Sequence, residues 1–176
     1  MTIRQIYLFI CLYLVLLAIV TVLTRATPRR VAGALAGAAV DGVAMLGIIA
    51  IGESAGWWHF AIAWEPYSLT LLCIGTIPCG FIFLITWRIA RRFGGRGLAV
   101  VVFVAAILGP VRDYGVMATF PEWGAYAPGL APMFAVSAAY IILGVLGHGL
   151  MRLIAGPAVA DRLARRLWEP RRSAAV

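Results

Sequence analysis

Lysine is absent from the 176 residues, and charge of either sign is scarce: arginine supplies all 15 positive side chains, seven carboxylates oppose them, and charged residues are 12% of the chain. An ordinary soluble domain is about one quarter charged, so this scarcity, set against 63% hydrophobic residues, excludes that class. Cysteine is equally sparse. Cys11, Cys73 and Cys79 are odd in number, lack CxxC spacing and lie in apolar runs, where a thiol is a small hydrophobe. No disulfide and no metal site is expected. The only histidines are His59 and His148. A bis-histidine haem needs both at one depth, whereas the topology below puts them on opposite sides, so no cofactor is expected. No internal repeat, Ser/Gly linker or low-complexity block divides the chain, and one all-α bundle is expected.

What the chain has instead is long uncharged runs. About 20 apolar residues cross roughly 30 Å of hydrocarbon, and the charges mark where such runs end. Five transmembrane helices are predicted, at 5–24, 31–52, 67–87, 97–118 and 129–151, within a bundle covering 1–155. No small-x-small cleavage site follows the first run and no lipobox precedes Cys11, so that run is kept as a helix rather than a signal peptide. Pro78 should kink the third span. Arg96 and Arg112 enclose too few residues for a fourth, so its helix is expected to continue through Arg112 and Asp113 toward Phe120. Gly156 and Pro157 should stop the last helix. The basic tail 156–176, with Val159, Leu163 and Leu167 at i, i+4 and i+8, reads as an amphipathic helix on anionic lipid.

The net charge of +8 would suggest a nucleic-acid partner in a soluble protein, but here the arginines follow topology and none is expected. Thirteen lie on one side of the spans, and only Arg4 and Arg112 on the other. Arginine-rich loops stay cytoplasmic. The chain is therefore expected in a bacterial-type inner membrane, with its amino terminus outside and its carboxyl terminus in the cytoplasm. Its partners would be the bilayer, anionic lipid at the cytoplasmic face, and other membrane proteins or further copies of itself. The outer loops carry Glu53, Glu65 and Glu122 among Trp57, Trp58, Trp64, Trp123 and Tyr126, as an interfacial aromatic belt does.

Three places can carry chemistry. Asp41 lies at the middle of the second span, where a carboxylate is costly by roughly 2.5 to 3.5 kcal/mol on insertion scales. It shares a helical face with Ala34, Gly37, Ala38 and Ala44, and so should point into the bundle, either as an acid or proton relay or as a carboxyl that fixes a neighbouring helix. Arg112, with Asp113 and Tyr114, is read as a clamp for an anionic headgroup or as an ion pair with Glu53, Glu122 or Asp113 that closes the outer end. Residues adjacent on a helix do not face each other, so Arg112 and Asp113 are expected to find partners on other helices. The third place packs Glu53, Trp57, Trp58 and His59 into one outer loop, as a pocket lining or as a plain interface belt. His148 is expected to meet the terminal carbonyls of its own helix.

Asp41 in a helix, then Gly56-Trp57-Trp58-His59-Phe60, then Ile77-Pro78 in the next helix, resembles the layout of small membrane-integral carotenoid enzymes of the lycopene-cyclase and carotenoid-hydratase types. The resemblance implies a polytopic protein acting on long polyenes by acid chemistry, with Asp41 and Glu53 as the acids. Where the cyclase type carries Pro-x-Glu-Glu, this chain reads Pro78-Cys79-Gly80-Phe81, and both glutamates are missing. Three functions are open on sequence: a noncatalytic subunit or assembly factor of a membrane complex, an isoprenoid- or lipid-binding or modifying enzyme using Asp41, and a small proton-coupled transporter.

Overall fold

The computed structural model describes residues 3–61, 70 and 73–158. The predicted tail helix beyond Ala158, the start of the predicted third span, and Trp64 and Glu65 lie outside these residues. The described chain is mostly helical: α1 (Ile3–Thr24), α2 (Pro28–Ser54), α3 (Phe81–Thr119) and α4 (Leu130–Ala155), with a two-stranded ribbon of β1 (Trp58–Phe60) and β2 (Gly124–Tyr126). Among the described residues, four helical runs are long and apolar enough to cross a membrane, the third being Cys73–Thr119.

That third run has 47 residues and, as one straight helix, would extend about 70 Å, more than twice a hydrocarbon core. It is interrupted twice. At Pro78, where the sequence predicts a kink, Ile77–Gly80 is a turn of 3-10 helix. At Gly94 the backbone takes φ 67° and ψ −158°, a left-handed conformation open to glycine at little cost. Beyond this break the helix continues through Arg112 and Asp113 to Thr119, as expected for the short fourth run. Gly156, at φ 87°, ends α4 where the Gly-Pro pair predicted a stop.

Arginine-bearing turns meet at one end of the bundle. Arg88 Nη1 donates to the Thr24 carbonyl at 3.3 Å, Arg29 Nε donates to the Ile154 carbonyl at 2.6 Å, and the Arg30 guanidinium lies 4.1 Å over the Trp87 ring. A core of Ala34, Ala38, Phe83, Leu84, Trp87 and Met151 fills the space between. The opposite end holds the ribbon and most of the aromatic contacts.

Small residues set how close α2 and α4 come. A Cβ on Gly33 would stand 3.1 Å from the Met151 carbonyl oxygen, and one on Gly37 would overlap that of Gly147. Gly33 and Gly37, four residues apart, therefore face α4, where backbones in near contact replace the hydrophobic drive that lipid cannot provide. By contrast α1 is thinly covered, with 6% of its apolar window buried inside the chain.

Candidate functional site

Between the helices, toward the ribbon end, lies a cavity of about 590 Å³. Ile6, Phe9, Ile10 and Tyr13 of α1, Met45, Ile48 and Ile49 of α2, and Val136, Ala139 and Leu143 of α4 form much of its wall, and Trp58, Phe60, Trp123 and Tyr126 line it from the ribbon side. The size is that of a small-molecule site, which is typically mostly apolar with a few placed polar groups.

The ribbon borders one side of the cavity and is held by main-chain pairing. Trp58 opposes Tyr126, His59 opposes Ala125 and Phe60 opposes Gly124, in antiparallel register. The Ala127 N–H extends the pairing to the Trp57 carbonyl at 2.9 Å. Gly124 is required by close approach, since a Cβ there would overlap the His59 carbonyl oxygen. The Trp58 ring fills the space beside Gly52 and donates from Nε1 to the Ile49 carbonyl at 3.1 Å. It stacks on Phe60 at 6.1 Å and meets Tyr126 edge-on.

Glu53 holds this cap rather than lining the cavity. Its Oε1 accepts the Phe60 N–H at 2.7 Å, and its Oε2 lies 3.3 Å from Nδ1 of His59, which is exposed. The Glu53→Ala variant is expected to speed amide exchange at Phe60 by about tenfold, the loss of about 1.4 kcal/mol that one charge-assisted bond accounts for. Hydrogen–deuterium exchange of the segment 53–60 measures it.

The polar group of the cavity is Arg112, Asp113 and Tyr140. Arg112 Nε and Nη2 both reach Asp113 Oδ1, at 2.9 and 2.8 Å, and the Tyr140 hydroxyl lies 3.1 Å from both Asp113 oxygens. Of the partners weighed for Arg112, the structure pairs it with Asp113, and the expectation that both would find partners on other helices is corrected for Arg112. The long arginine side chain folds back over the turn, which the rule for adjacent helical positions does not anticipate, and only Asp113 gains a partner across the bundle. Gly109, four residues before Asp113, supplies the room: a Cβ there would overlap the Tyr140 ring. The Arg112 side chain is 69% accessible and Asp113 19%. Guanidinium edges thus border the lumen.

Tyr114 points elsewhere and stacks on Tyr126 at 4.4 Å, 13° from parallel. Burial first, and the nearby Asp113 charge next, push the Tyr126 phenol above its ordinary range, so it remains a neutral donor. Trp57 stays with the cap, 6.0 Å from Trp58.

Asp41 lies one helical turn below Met45, and Gly147 one turn beyond Leu143, both of which line the cavity. As its spacing predicted, Asp41 faces α4: its Oδ2 would be 2.7 Å from a Cβ on Gly147, while its buried Oδ1 has no hydrogen-bond partner among the described residues. It therefore sits beneath the cavity and outside its lining. His148 does not cap its helix as expected. It is 3% exposed, and its Nδ1 is 2.9 Å from Thr86 Oγ1, because its side chain projects between helices and not along the axis. Among the described residues no three His, Cys, Asp or Glu side chains group to hold a metal.

The structure thus brings Trp58, Arg112 and Asp113 to one cavity, puts Glu53, Trp57 and His59 in its cap, Tyr114 behind it and Asp41 below it. Sequence reasoning missed Tyr13 and Tyr140. The signal for Tyr140 was the one tyrosine in the apolar run of α4, at the depth where Asp113 needs a partner. In comparisons with protein-family models, curated proteins and solved structures, nothing matches the chain.

Proposed function

We propose that this membrane protein binds a single-chain hydrophobic molecule, an isoprenoid or a lipid, in the cavity beneath the ribbon. The observation that carries the reading is a partly open cavity of about 590 Å³ with apolar and aromatic walls and one Arg112–Asp113–Tyr140 group. Membrane-depth ionisable groups are rare and mark ligand paths or sites. Gentle purification from native membrane, followed by absorbance and mass spectrometry, tests it. A bound polyene or lipid in stoichiometric amount is expected, and an empty cavity in every preparation counts against it.

The same reading has five crossings in a bacterial-type inner membrane, the amino terminus outside and the arginine-bearing turns in the cytoplasm. Support comes from Gly94, which breaks the 47-residue run among Arg88, Arg91, Arg92 and Arg96. Reporter fusions at Ala26 and Gly94 are expected to read cytoplasmic, and those at Ser54 and Ala125 extracytoplasmic. Gly94 and Ala125 on one side would remove the fourth crossing.

A second reading, a noncatalytic subunit or assembly factor, is favoured by α1. Leu8, Leu12, Val15, Ile19 and Val22 are exposed along it, an apolar face fit for lipid or a partner helix. Stoichiometric protein partners in the same purification support that reading.

A further inference from the structure

Resting on the binding reading above, we infer that the cavity takes a molecule whose polar end is an uncharged oxygen, a hydroxyl or carbonyl, in preference to a carboxylate or phosphate. Size sets the chain: 590 Å³, at about 30 Å³ for each water-sized group, holds on the order of 20 heavy atoms. That suits one isoprenoid or acyl chain. A two-chain phospholipid is too large.

Charge sets the head. Arg112 is a natural clamp for an anion, but Asp113 Oδ1 already takes two of its N–H groups, and the pair is neutral as a unit. An incoming anion would bring an unbalanced negative charge beside the mostly buried Asp113 carboxylate, where like charges repel. A hydroxyl or carbonyl oxygen adds no charge. It can accept from the remaining guanidinium N–H groups at the lumen, and a hydroxyl can also donate toward Asp113, so both members of the pair are used. Tyr140 holds Asp113 in place from the opposite helix. The remaining wall, Phe9, Trp58, Phe60 and Trp123 among it, offers ring faces to an unsaturated chain.

Trp58 and Trp123 line the cavity and report on its occupant. The test uses the full chain in lipid nanodiscs at mildly alkaline pH, titrated with farnesol, farnesal and ionised farnesoic acid, with empty nanodiscs as the baseline for partitioning. Farnesol and farnesal should quench tryptophan emission saturably, and farnesoic acid should bind about tenfold more weakly or worse, a difference of about 1.4 kcal/mol. In Asp113→Asn, which keeps the shape and leaves Arg112 unbalanced, the order should reverse: the acid gains about tenfold and farnesol changes little. Should that variant not fold, the wild-type ratio decides alone, together with Arg112→Gln, which should lose farnesol affinity. Tighter binding of the acid to the wild type, or an unchanged ratio in a folded Asp113→Asn, overturns the inference while leaving a binding site in place. No saturable quenching by any of the three overturns the binding reading itself.

Discussion

Leucine in place of Gly37 is expected to destabilise the folded protein strongly in detergent. A Cβ at this position already overlaps the Gly147 carbonyl oxygen, so the obstacle is backbone, which cannot rotate away. Overpacking a core costs typically about 1–3 kcal/mol. Here α2 would also have to leave α4 along a face that includes Ala34, which is fully buried, and Ala38, and a loss of about 3 kcal/mol or more is expected from a total stability of roughly 5–15 kcal/mol. Size-exclusion profiles and thermal unfolding measure this. Gly47→Leu is the control. It lies on the same helix, where an added Cβ would meet nothing within 4 Å, and its stability should change by no more than about 0.5 kcal/mol. Equal behaviour of the two variants would refute the close approach.

Removing Arg112 is expected to produce the second large effect. Arg112→Ala leaves the 19% accessible Asp113 side chain with Tyr140 as its one remaining partner among the described residues, and since the Arg112 side chain is itself 69% accessible and screened, the cost is that of a mostly buried carboxylate short of a partner, about 1–3 kcal/mol. The measurable signature lies in the double variant. Arg112→Ala with Asp113→Asn removes both charges and should recover much of the loss, giving a coupling of roughly 1 kcal/mol in a double-mutant cycle. Additive losses would mean that the two side chains act separately. Tyr140→Phe deletes a hydroxyl and should cost about 1 kcal/mol.

That the chain has four long apolar helical runs among the described residues was legible because a bilayer turns chemistry into length: a charge ends an apolar run wherever it cannot stay in hydrocarbon. For the same reason the shortness of the run between Arg96 and Arg112 pointed to a helix continuing to Thr119, as it does. The small-residue face of Asp41 was legible from spacing alone, since positions three and four apart share a helical face. The ribbon was not. Each strand has three residues, too few for alternation to register, and each finds its partner more than 60 residues away. The cavity was beyond sequence reasoning because its wall is assembled from every helix at once. Arg112 and Asp113 were found as candidates and their ion pair was one of the readings open, but choosing it over Glu53 or Glu122 depends on a rotamer, which helical geometry at the backbone level leaves open.

The cap over the cavity differs in kind from its walls. Helix pairs such as α2 and α4 separate only by losing long packed faces, whereas β1 and β2 hold through a few main-chain bonds, one glycine contact and Glu53. Short two-stranded pairings are marginal on their own and open locally far more often than a domain unfolds. These two short strands are therefore expected to fray before the helix pairs separate, and a single substitution at Glu53 or Gly124 would quicken that opening without altering the helical walls, an outcome that hydrogen–deuterium exchange reads.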